Sequence, residues 1–168
     1  VFRALFTEEQ IACSLHGENT IPAIIIAADG SAAPIACSFI FNLRERYRKC
    51  IKQIIFFSPW LNVSQESKLL TTRKMCDDVM SGDVLRKSSC IFAGETSPGS
   101  PFISPLLADD EQLKDFPPLF IQMGEKEILL EDAQNFTNRM TELGNKCTLD
   151  VWEKMIYMFQ MADEFIHE

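Results

Sequence analysis

Four short apolar runs separated by helix-compatible stretches restrict what this chain can fold into. They occupy residues 21–28, 51–57 (IKQIIFF), 119–123 (LFIQM) and 146–152 (KCTLDVW). The first is continuous rather than alternating, which suits a strand buried on both faces, and the second reads as another buried strand. Between the first pair, residues 32–48 read as a helix, with Pro34 in the first turn, where a missing N–H costs least. Residues 128–143 form an amphipathic helical pattern that stops at Gly144, a suitable residue for a helix C-terminus. Residues 1–14 (Phe2, Leu5, Phe6, Ile11) and about 158–167 are also spaced as helices. Strands alternating with helices predict an α/β fold, with about four parallel strands and helices on the sheet faces. The stretch 66–105 breaks this rhythm: a mixed helical part is followed by a Pro/Gly/Ser-rich loop at 93–105. It reads as a cap-like insertion in a single domain spanning 1–168.

Composition narrows the function classes. The chain has 168 residues, enough for one domain with a real core, and its apolar runs fall far short of a membrane span. A net charge of −8 with no Lys/Arg-rich stripe argues against nucleic acid as a partner. Cysteines at 13, 37, 50, 76, 90 and 147 form no metal-ligand spacing with the two histidines, so no metal or other cofactor is expected. Reduced thiols and the lack of a visible signal peptide predict a cytoplasmic location. Cys37 and Cys147 sit in apolar patterns and read as core residues. The chain begins at Val1 rather than at a methionine, as expected of a processed chain or of a piece of something longer.

The stretch IIIAADGSAAPIA, residues 24–36, carries the chemical question. An apolar strand runs into a tight turn and then a helix, the outline of a nucleophile elbow. Such an elbow needs small residues two before and two after its apex, because strand and helix nearly touch there. Ala28 and Ala32 flank Gly30 in this way; Asp29 and Ala33 flank Ser31 less well. Gly30 is the better apex, and Ser31 at the apex is the alternative register.

In chain order, AADGSAAPIA (27–36), SPWLNVS (58–64), SPLLADD (104–110), PPLFIQMGEKEILLEDA (117–133) and VWEKMIYMFQ (151–160) resemble the hormone-sensitive-lipase-like family of α/β-hydrolases. The corresponding family patterns are GDSAGGNLA, SPWLDL, SPL, GxxE(x)L and WEGMPHVFQ. The resemblance covers nearly the whole chain but only the second half of that fold. It implies a partial α/β-hydrolase fold and hydrolysis of short carboxylic esters by a Ser–acid–His triad.

Laid on those patterns, the nucleophile position falls on Gly30, which has no side chain. Ser31 is then a shifted nucleophile or the donor of an ordinary oxyanion N–H. The acid position falls on Glu127. The histidine position falls on Tyr157, whose phenol, with a pKa near 10, stays protonated and cannot take a serine proton as imidazole does. His16 and His167 lie elsewhere, and no HGGG-type oxyanion stretch precedes the elbow. Loss of nucleophile or base alone removes on the order of 10⁶ in turnover in a well-studied serine protease. The expectation is therefore a catalytically degenerate family member. It would be a binding module for a small apolar ester or related ligand, as plant gibberellin receptors of this family bind a small molecule without the histidine, or else a truncated product. The alternative is a weak carboxylesterase using Ser31. Without upstream strands, the 21–28 strand would be a hydrophobic edge prone to self-association or to pairing with a complementing chain.

Overall fold

The computed structural model describes residues 23–64 and 77–162. Four parallel strands, β1 (Ile24–Asp29), β2 (Ile51–Phe57), β3 (Leu119–Gly124) and β4 (Cys147–Trp152), lie in the order β1-β2-β3-β4. Among the described residues, five helices accompany them: α1 (Ala32–Phe41), α2 (Glu45–Arg48), α3 (Gly82–Ala93), α4 (Asp110–Leu113) and α5 (Leu130–Glu142). Single-turn 3₁₀ segments occupy Pro105–Leu107 and Phe159–Met161.

Sequential strands that neighbour one another in one direction require crossovers of one hand, and right-handed crossovers put the connecting helices on one face of the sheet. That face holds the core. Ile54, Phe56, Leu119, Ile121 and Met123 point from the strands toward Ile40, Phe136 and Met140 of α1 and α5, all buried. Cys37 is fully buried there, and Cys147 packs against the same cluster. α3 seats on the chain leaving β2: Ser89 donates to the Val63 carbonyl at 2.6 Å, and Trp60 meets Phe92 at 6.0 Å between ring centroids.

Three expectations change. β1 is not buried on both faces: its exposure alternates, and Ile25 is 66% exposed. Among the described residues β1 has one hydrogen-bonded neighbour, β2, so it forms a sheet edge with one uncovered face. The helix predicted over 32–48 breaks after Phe41. There the Arg48 guanidinium donates to the carbonyls of Phe41 and Leu43, at 3.2 Å each, and to that of Lys114 at 3.3 Å. A side chain five to seven residues on thus satisfies carbonyls that a continuing helix would have used. α4 was not foreseen, although Asp109 and Gln112 form a full capping box at its start. The helix expected over 128–143 is α5, two residues later in starting, followed by Gly144 at φ +80°. The expected helix at 1–14, His16, His167 and the end of the closing helix lie outside the described residues. Among the described residues, no helix is long and apolar enough to cross a membrane.

Candidate active site

The carboxyl ends of the four strands converge on one side of the sheet, the end where open parallel sheets place ligand groups. Gly30 follows β1 directly. Its N–H donates to the Phe57 carbonyl at 3.0 Å, and its own carbonyl accepts from Trp60 N at 2.9 Å. Both bonds tie the turn to the exit of β2. Gly30 has φ +40°, a conformation that L side chains rarely adopt. Ser31 is next, with ordinary right-handed helical angles (φ −75°, ψ −9°) at the start of α1. Its hydroxyl makes no capping bond and its residue is exposed.

Tyr157 reaches this turn from the other side. A β-carbon on Gly30 would stand 2.6 Å from the Tyr157 Oη and 3.8 Å from Cζ, so the phenol already fills that space. Burial, then the negative charges of Glu127, Asp29 and Asp77, push the Tyr157 phenol above its ordinary value of 10. It is therefore a neutral hydrogen-bonding group at physiological pH.

Glu127 is fully buried where the chain turns from β3 toward α5. Its Oε1 accepts from Gly124 N at 2.5 Å and from Ser58 Oγ at 2.8 Å. Burial pushes its carboxyl up to about 7, against the lowering effect of those two hydrogen bonds, and Asp77 pushes in the same direction as burial. Asp77 is itself held by Ile128 N at 3.0 Å and by Val79 N and Met80 N.

Ser58 is the residue the sequence reading missed. It is fully buried and has φ +45°, a left-handed conformation uncommon for a non-glycine residue. Besides donating to Glu127, its Oγ accepts from Met158 N at 3.2 Å and lies 3.4 Å from Gln160 Oε1. Its motif SPW was visible in the sequence; its backbone conformation and its partner 69 residues away were not. Ser104 of the SPL motif is also buried, joining Val63 N and the Pro98 carbonyl at 2.8 and 2.6 Å.

The structure thus brings Gly30 together with Tyr157, and Glu127 together with Ser58. Ser31 stays outside both pairs. Among the described residues, no cluster of His, Cys, Asp and Glu could hold a metal ion.

This half-sheet, with its strand–turn–helix at Gly30 and a buried carboxylate after β3, defines a class. A family model for the alpha/beta hydrolase fold matches residues 7–161, and the chain belongs to that family. Within it the likeness is to the hormone-sensitive-lipase branch. An esterase of Acinetobacter venetianus is 28% identical over 146 residues, covering 86% of this chain and 47% of the relative. An acetyl-hydrolase of Streptomyces hygroscopicus is 27% identical, covering 81% and 44%. The hormone-sensitive lipase of Mus musculus is 39% identical over a 60-residue segment. Among solved structures, an esterase from the bacterial hormone-sensitive lipase family superposes with a TM-score of 0.77 at 25% identity, over 91% of this chain and 50% of that one. The chain spans about half the length of the curated relatives it matches.

Proposed function

We propose that this chain is a catalytically degenerate member of the esterase/lipase branch that binds a small apolar ester or related ligand without turning it over. In this reading Gly30 occupies the nucleophile position, Glu127 the acid position and Tyr157 the histidine position. One observation carries it: Gly30 combines the positive φ of a strained strand-to-helix apex with a space already filled by the Tyr157 hydroxyl.

Acyl transfer needs a nucleophile, a base to take its proton and a carboxylate to orient the base. Glycine supplies no nucleophile, and a phenol held above its ordinary pKa supplies no base. Glu127 spends Oε1 on Gly124 and Ser58. In this reading the ligand binds at the carboxyl ends of the strands, the end where open parallel sheets place ligand groups. In the same reading the 66–105 insertion is a cap, and the chain works in the cytoplasm. The edge of β1, which among the described residues pairs with β2 alone, meets in this reading a second copy or a complementing chain.

The test is reaction of the folded chain with a fluorophosphonate, read by intact mass and peptide mapping, beside hydrolysis of p-nitrophenyl butyrate. The expected result is no adduct and no turnover above that of Ser31→Ala. A stoichiometric adduct on Ser31 that is lost in Ser31→Ala would replace this reading with the weak carboxylesterase.

A further inference from the structure

Residues 153–161 leave β4 and run back across the carboxyl ends of the other three strands. Lys154 N donates to Glu125 Oε2 at 2.9 Å, and Lys126 N donates to the Met155 carbonyl at 3.0 Å, which ties the segment to the end of β3. Met158 N then bonds Ser58 Oγ, at the end of β2, and Tyr157 reaches Gly30, at the end of β1. Gln160 Nε2 returns to the Gln122 carbonyl at 3.4 Å. The segment carries two left-handed non-glycine residues, Lys154 and Met158, and the second bonds a third, Ser58. Such conformations persist where surrounding contacts over-determine them, and they cluster at clamps and switches.

We propose that residues 153–161 form a self-closing strap, latched by the Glu127–Ser58–Met158 hydrogen-bond chain, that holds the chain's own Tyr157 phenol over Gly30 as an internal occupant of the site. The buried carboxylate of Glu127 fixes the Ser58 hydroxyl, and that hydroxyl accepts the Met158 N–H. The orientation of one hydroxyl therefore couples the turn after β3 to the strap. A ligand entering at Gly30 has to displace the phenol, so the latch sets how often the site is open. An autoinhibitory contact of this kind is a local opening equilibrium, separable from global unfolding.

Hydrogen exchange on the full chain, read peptide by peptide, measures that opening directly. Ser58→Gly removes the hydroxyl at a backbone position that glycine adopts without strain. Gln160→Ala, a change within the strap itself, is the second variant and decides the question if Ser58→Gly does not fold. The expected result is an increase in exchange of about tenfold, the size of one hydrogen bond's loss, confined to residues 155–161. Peptides covering α1 and α5 should exchange as in the unmodified chain. Unchanged exchange in the strap, or an equal rise in every peptide, would overturn the latch. This measurement uses neither ligand nor turnover, so its failure would leave the proposed function standing.

Discussion

The Tyr157 hydroxyl oxygen stands 2.6 Å from the point where a β-carbon on Gly30 would lie. The two positions are therefore coupled: glycine at 30 and tyrosine at 157 fit together, and a side chain at 30 conflicts with the phenol. Gly30→Ala should destabilise the chain by about 1–3 kcal/mol, through overpacking added to the strain of a positive φ. Tyr157→Phe removes only the clashing oxygen. Combined with Gly30→Ala it should recover about 0.5–2 kcal/mol of that loss as an interaction energy. Urea unfolding of the four chains in a double-mutant cycle measures it. Strict additivity would mean that the phenol moves aside at no cost.

Two buried carboxyls make stability depend on pH in an unusual direction. Glu127 and Asp132 are each pushed up to about 7, both chiefly by burial. Their unfolded values lie near 4.5 and 3.8, so between those values and 7 the folded chain holds protons that the unfolded chain has lost. Stability should then fall as pH rises from about 4 to 7, by about 1–3 kcal/mol per group. Glu127→Gln and Asp132→Asn should each flatten the slope of stability against pH. A thermal melt series across that range reads both.

Gly124 allows the strap to approach the end of β3. A β-carbon there would run into the carbonyl of Met155, a backbone atom that cannot rotate away. Gly124→Ala should therefore cost about 1–3 kcal/mol and loosen residues 155–161. Thermal unfolding gives the first effect and exchange of the strap peptides the second.

The edge strand makes a prediction about association. Ile25 is largely exposed on β1, whose one hydrogen-bonded neighbour among the described residues is β2. Sedimentation should show concentration-dependent self-association that Ile25→Lys weakens, since a charge on an edge strand discourages pairing. The same substitution should shift stability by less than about 0.5 kcal/mol, as expected at an exposed position.

The architecture was legible because hydrophobic periodicity is local. All four strands fall where the apolar runs stand, and the α5 helix stops where Gly144 predicted. The break after Phe41 was not legible, because what ends α1 there is the guanidinium of Arg48, seven residues on, satisfying freed carbonyls. β1 read as doubly buried because apolar composition reports what a strand tolerates on its faces. What packs there is decided by other parts of the chain.

The candidate site divides in the same way. Residue identity alone places a glycine, a glutamate and a tyrosine in the motifs that resemble the family's nucleophile, acid and histidine positions. That follows from sequence order and would be read the same without coordinates. The sequence did not disclose that Tyr157 fills the space beside Gly30, or that Ser58 takes a left-handed conformation. Nor did it disclose that the Ser58 hydroxyl joins Glu127 to Met158 across 69 and 100 residues of chain. Those contacts exist because a parallel sheet gathers distant strand ends on one edge. Which side chains meet there is decided by register and backbone conformation, and neither is written in any local stretch of residues.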